Sequence, residues 1–311
     1  MSQRRRFGFV LIGLIAAAVT VAAGSTFAAQ AEANSPADHL VVYDNNIENM
    51  LPKDCYGDDF NLLISYIKEQ PESPDIFTVQ QISNTSQLDA FTKRLSDELP
   101  GSYAGEIAIG DPGSMGYTSR CGKLKNQQTN AVIYRSDRFS LQDDTRWRSD
   151  APDNGGPCRN LEPTETSQDR VHNIAVRLHD TVADKDVSVA SIHWPTGKWD
   201  GPDCAAENMS EANDAFGRLG GGLRILGGDA NTTPGTKGWW NDAVDYGFTD
   251  PIAELCGTPH CPDEHNTSDK NRIDYLFAKG GSGFGKAATI TDKLAGGRYS
   301  NHRAVTAYVK Y

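Results

Sequence analysis

The sequence predicts an α/β or α+β layered domain, on three observations. Short β-prone apolar runs alternate with helical spacing along its length. Of the 311 residues 38 % are apolar and 23 % charged, a balance that excludes a disordered polyampholyte and a membrane bundle. No internal repeat, heptad run or long linker interrupts positions 38–311, so that stretch reads as one domain.

The first strand is expected over 40–47, where Leu40-Val41-Val42-Tyr43 opens with β-prone residues. Phe60 to Ile67 has the three- and four-residue spacing of an amphipathic helix, preceded by Asp58 and Asp59, which suit a helix start. Asp75 to Val79 is a compact strand, Leu88 to Leu99 a helix and Asn130 to Tyr134 a strand. Ile174 to Leu178 and Val187 to Ile192 form a strand pair joined through the polar turn Asp184 to Asp186. Ala205 to Leu219 is helical and stops at Gly220-Gly221-Gly222. Leu223 to Leu226, Ile273 to Ala278 and Ala304 to Val309 complete the strands. Gly110 to Gln128 and Asp150 to Ser167 read as long surface loops, and Gly280 to Gly285 as a flexible loop.

Residues 1–31 stand apart. Arg4, Arg5 and Arg6 precede an uncharged apolar run from Phe7 to Ala23, and A-x-A sites follow, the pattern of a secretory signal peptide cleaved near Ala31 or Ala33. The chain is then secreted, and loss of those arginines makes a chain of net charge −11 still more acidic. An acidic surface repels polyanions at long range, so any phosphate chemistry needs a local basic pocket or a bound cation. Six cysteines, Cys55, Cys121, Cys158, Cys204, Cys256 and Cys261, suggest three disulfides in an exported chain. Proximity suggests only the pair Cys256 and Cys261, with a metal site involving His260 and His265 as the competing reading.

Polar residues crowd the strand ends. Residues two apart share a strand face, so Asp44, Asn46 and Glu48 can point together, as can Asp229 and Asn231. Gly227-Gly228 before Asp229 allows close approach of backbone to a ligand. His193 ends one strand, Asp274 begins another, and Asn301-His302 precedes the last. This set suits cation-assisted attack of water on a phosphate ester. The bland alternatives are an Asx turn at Asp229 to Asn231, a hydrogen-bonded core histidine at 193 and a solvated turn at 301–302. Neither G-x-S-x-G nor H-E-x-x-H occurs, which removes the commonest serine hydrolase and zincin readings.

Six segments occur in a telling order: Asn46-Ile47-Glu48-Asn49, Pro74 to Gln81, Ser191-Ile192-His193, Gly227 to Thr232, Arg272-Ile273-Asp274-Tyr275 and Ser300-Asn301-His302-Arg303. Together they resemble the endonuclease/exonuclease/phosphatase superfamily, which includes DNase I-like nucleases, neutral sphingomyelinases and inositol polyphosphate phosphatases. The resemblance implies a four-layer sandwich of two packed mixed β-sheets flanked by helices. It implies a monomeric phosphodiester hydrolase using a divalent cation, Mg²⁺ or Ca²⁺, on DNA or RNA ahead of phospholipid.

By the same resemblance Asn46 is a metal-site asparagine and His193 contacts the scissile phosphate. Asp229 orients or deprotonates the attacking water, Asn231 holds a phosphate oxygen, and His302 is the terminal catalytic histidine, oriented by Asp274. Two positions depart from the pattern. Gln81 stands where the family has its principal metal-ligating Glu, and Asn301 where it has Asp; each replaces a carboxylate with its amide. Asp44 and Glu48 could compensate, but the expectation is that both are ordinary strand-end carboxylates. A catalytically weak, phosphate- or protein-binding member and a sphingomyelinase-like phospholipase C are the alternatives. Arg170 and Trp194 are expected to bind substrate; Trp199, beyond the site histidine, shares that reading, and Trp239 and Trp240 are expected in the core.

Overall fold

The computed structural model describes residues 36–50, 59–113, 127–149, 169–196, 204–236 and 238–311, all within the unit Ala31–Tyr311. The expected leader, Trp199, Cys55, Cys121, Cys158 and most of the two long loops lie outside these residues. No helix among the described residues is long and apolar enough to cross a membrane.

Strand β1 (His39–Asn46) pairs in parallel with β2 (Ile76–Ile82) on one side and antiparallel with β11 (Val305–Lys310) on the other. With β3 (Tyr103–Ile107), β4 (Thr129–Arg135) and β10 (Gly283–Thr289) they form a six-stranded sheet of order β10-β11-β1-β2-β4-β3. The second sheet has the order β5-β6-β7-β8-β9, from β5 (Phe139–Arg148), β6 (His172–Asp180), β7 (Lys185–His193), β8 (Leu223–Asp229) and β9 (Asp274–Lys279). Only β7 and β8 run parallel there; β6 and β7 are the antiparallel pair the sequence predicts.

Alternation along the strands sorts the core into layers. Leu40 and Val42 of β1, Ile76 and Val132 meet Ile174, Val176, Val189 and Ile225 between the sheets. Val41, Tyr43, Phe77 and Ile133 face outward beneath the helices Asn61–Lys68 and Thr85–Glu98, through Leu63, Ile67, Phe91 and Leu95. On the far side Ala190, Leu226 and Phe277 pack on Met209, Ala212 and Phe216 of the helix Ala205–Leu219, and on Trp239. The result is the expected four layers: helices, sheet, sheet, helices. Trp239 and Trp240 are core residues, as expected.

Two local expectations are overturned. Gly283 to Gly285 open strand β10 instead of a flexible loop, paired in register with Lys310, Val309 and Tyr308. Gly227 and Gly228 serve packing rather than ligand approach: a Cβ at Gly227 would lie 2.0 Å from Thr78 Oγ1 of the facing sheet, and one at Gly228 2.1 Å from the Ile192 carbonyl oxygen. Cys256 and Cys261 form the expected disulfide, and Cys204 is also disulfide-bonded.

At the opposite end of the strands from His193 and Asp229, a buried ion-pair network ties the two sheets and both ends of the described chain. Arg138, 1 % exposed, reaches Asp180 Oδ2 (2.6 Å), Asp75 Oδ2 (3.1 Å) and the Pro36 carbonyl (3.1 Å), while the Tyr311 hydroxyl donates to Asp180 at 2.6 Å.

Candidate active site

Sheet register builds the site. His193 ends β7 opposite Asp229 at the end of β8, and Asp229 lies opposite Asp274 at the start of β9. Three polar residues from three segments thus stand side by side. From the other sheet, Asn46 ends β1 beside Gln80 of β2 and donates its side-chain N–H to Asp229 Oδ2 at 3.0 Å.

Asp229 is the hub. Its Oδ1 accepts the Asn231 backbone N–H (2.9 Å), and its Oδ2 lies 3.5 Å from His193 Nε2 and 3.7 Å from His302 Nδ1. Asn231 sits at φ 51° and donates from Nδ2 to the Trp194 carbonyl at 2.8 Å. The Asx turn and the functional placement therefore coexist, because that turn is what projects Asn231 beside Asp229. His193 is 1 % exposed and is positioned by its backbone N–H, which donates to Asn173 Oδ1 at 2.8 Å.

Both oxygens of Asp274 lie 3.0 Å from His302 Nδ1, which leaves Nε2 as the nitrogen not engaged by Asp274. Burial works against a charged His302, but the carboxylates of Asp274 and Asp229 outweigh it and push the imidazole up to about 10. Burial raises the Asp274 carboxyl, against the pull of His302. Asp274 is fixed in turn by Thr267, whose Oγ1 accepts the Asp274 backbone N–H at 2.9 Å.

Asp229, Asp274 and His302 form a group whose ligand atoms all lie within 4.8 Å of one another. His302 Nδ1 stands between the two carboxylates, so the imidazolium already supplies positive charge there. Other oxygen donors suited to a hard cation are at Asn46, the last residue of β1, and in the segment 300–302.

The two departures from the family pattern have different surroundings. Gln81 occupies a β-bulge at φ 56°, its Oε1 accepting from Gln128 Nε2 at 2.9 Å. Asn301 donates from its backbone (2.6 Å) and from Nδ2 (2.8 Å) to the carboxylate of Glu48. This corrects the reading of Glu48 as an ordinary strand-end carboxylate: it lies beyond β1, in the turn Glu48–Met50, and joins the site. Asp44 is corrected differently. It is buried between the sheets, where its Oδ1 accepts from Thr78 Oγ1 (2.7 Å) and Gln80 Nε2 (3.0 Å). Burial, with the charge of nearby Asp274, pushes its carboxyl well above the usual range.

Trp194 is corrected as well. It is 1 % exposed and packs edge-on against Trp239 at 5.5 Å, so its ring offers no face to a ligand; its carbonyl contributes instead, to Asn231. Arg170 is buried in the turn Asp169–Val171, and its carbonyl accepts from Asn130 Nδ2 at 2.9 Å. Asn173 and Thr267 support the site without a motif to announce them; each lies within a few residues or one hairpin of a motif, which is the only trace of them in the sequence, whereas Ser300 opens the last motif itself.

No family model and no curated protein matches the sequence. Solved structures match its fold. An endonuclease/exonuclease/phosphatase family protein from Bacteroides thetaiotaomicron is 18 % identical, over 87 % of this chain and 94 % of that one, with a TM-score of 0.59. D. rerio TDP2 in complex with a single-strand DNA product is 12 % identical over 88 % and 99 %, with a TM-score of 0.58. The B. thetaiotaomicron mannosyl-6-phosphatase Bt3783 is 16 % identical over 88 % and 100 %, with a TM-score of 0.58. This chain has the endonuclease/exonuclease/phosphatase fold, the DNase I-like sandwich of two mixed sheets between helices.

Proposed function

We propose that the protein is a secreted phosphodiester hydrolase acting on DNA or RNA. One observation carries the reading: Asn46, His193 and His302 converge on a single carboxylate oxygen, Asp229 Oδ2, while Asp274 holds His302 from the other side. In this arrangement Asp229 takes a proton from the water whose oxygen attacks phosphorus. As the ester P–O bond breaks, the leaving oxygen takes the proton on His302 Nε2. The His193 imidazole and the second side-chain N–H of Asn231 bind the non-bridging oxygens. A divalent cation, Mg²⁺ or Ca²⁺, when bound, offsets phosphate charge; the hard oxygen donors near Asn46, Gln81 and Asn301 suit such an ion.

Nucleic acid is preferred to phospholipid because no membrane-entering hairpin is evident among the described residues. The exposed large apolar side chains Leu141, Val182, Val244, Leu255 and Leu294 each lie on a different element. The complex of D. rerio TDP2, a protein of the same fold, with a single-strand DNA product supports this preference. The amides at 81 and 301 favour a second reading, a phosphate-binding member with little turnover. The purified mature protein should be assayed on DNA, RNA, sphingomyelin and inositol phosphates, with Mg²⁺, Ca²⁺, Mn²⁺ or EDTA. Cleavage of DNA or RNA supports the proposal. Turnover of another class alone replaces the substrate, and silence on all four favours the binding reading.

A further inference from the structure

We infer that Glu48 has taken over the anionic part of the cation site that the family pattern places at positions 81 and 301. A divalent cation is then held by the Glu48 carboxylate with the amide oxygens of Asn46 and Asn301. The inference deepens the phosphodiesterase reading, but cation binding is measured without substrate, so the two can fail separately.

The backbone is bent to bring Glu48 there. After β1, Glu48, Asn49 and Met50 take φ values of 45°, 63° and 47°, three consecutive non-glycine residues in the left-handed region. Such a turn persists only when its surroundings enforce it. Buried Asn49 does so, its Nδ2 donating to Ser83 Oγ (2.6 Å) and to the Gln127 carbonyl (3.0 Å), while Gln87 Nε2 donates to the Asn49 carbonyl (2.5 Å). The turn carries Glu48 back across the strand end toward the segment 300–302.

The chemistry at the far side of this contact explains Asn301. Its Nδ2 lies 2.8 Å from Glu48 Oε1 and its backbone N–H 2.6 Å from Oε2, with Ser300 Oγ adding a third hydrogen bond to Oε2 at 3.2 Å. An Asp at 301 would set a second anion against Glu48 at that distance; an amide donates to it. In this contact the carboxylate therefore stands at 48 and the amide that donates to it at 301. With Nδ2 committed to Glu48, the Asn301 carbonyl is left to face elsewhere. The Asn46 amide oxygen accepts the Glu48 backbone N–H at 3.2 Å, which puts it in the same corner. One carboxylate and two amide oxygens are hard donors, and hydrogen-bonded carboxylates are the usual metal-ligating ones.

The test is Mn²⁺ binding, read by electron paramagnetic resonance of the free ion and by calorimetry, on the full mature chain. Three forms are compared: wild type, Glu48→Gln, and Glu48→Gln with Asn301→Asp, which moves the charge to the position the family uses. Circular dichroism establishes that each is folded. The wild type should bind one Mn²⁺, Glu48→Gln should bind it about tenfold or more weakly, and the double variant should regain most of that loss. A wild type that binds no Mn²⁺, a Glu48→Gln form of unchanged affinity, or a double variant no tighter than the single one overturns the inference.

Discussion

His302 Nδ1 lies 3.0 Å from both oxygens of Asp274, a symmetric contact that fixes the ring and leaves Nε2 as its working nitrogen. A half-buried imidazole gripped in this way by one carboxylate, with a second 3.7 Å away, is built to stay protonated.

Metal-free protein should show that charge in an NMR pH titration. His302 should keep its imidazolium signal through the range in which an ordinary histidine, near ~6.5, loses it, and titrate toward about 10. Because the folded value lies above the unfolded one, the stabilisation is fully present below the unfolded value and disappears as pH rises through the folded one. Titration of His302 near neutrality in the metal-free protein would contradict the geometry.

If the protein hydrolyses phosphodiesters, His302→Ala and Asp229→Asn should each lower kcat by about 10² to 10⁴, the usual range for a positioned acid or base. Asp274→Asn should also lower kcat, and should bring the His302 titration down with it. Wild-type turnover in either of the first two variants would place the chemistry elsewhere.

Arg138 makes a prediction about stability alone. Replacing it with Met takes the cation from buried Asp180 and leaves Asp75 only the more distant Arg135 guanidinium at 3.6 Å, a loss of about 3 to 5 kcal/mol by analogy with other broken buried pairs. Urea unfolding measures this directly. A loss below about 1 kcal/mol would mean that the network is solvated in practice.

Gly227→Ala tests the seam between the sheets. The new methyl group would meet Thr78 Oγ1, which cannot withdraw without giving up its hydrogen bond to Asp44. Overpacking of this kind costs about 1 to 3 kcal/mol, seen as a lowered Tm. An unchanged Tm would show that the sheets can separate at this point.

The elements legible in the sequence were those whose burial is uniform along their length. Central strands such as β1, β4 and β7 are apolar on both faces, because sheet and helix layers cover them from either side. The strands that escaped notice, β3, β5 and β10, all lie at sheet edges. An edge strand keeps one side in water, so β5 can carry Asp143, Asp144 and Arg146, and β10 can begin with glycine, without betraying its pairing.

The candidate site divides in the same way. By itself the sequence placed Asn46, His193, Asp229 and Asp274 at strand ends and His302 just before the last strand, and the order of their motifs, through the family resemblance, implied one shared site. Only the tertiary structure decided what each of them faces. Trp194 became core because the helix carrying Trp239 folds over it, and Glu48 entered the site because Asn49 is anchored to Ser83 and Gln127, 34 and 78 residues further along the chain. A strand's period of two is local and survives in the sequence. The direction of a turn held by distant hydrogen bonds is set by its partners, and no stretch of sequence around Glu48 contains them.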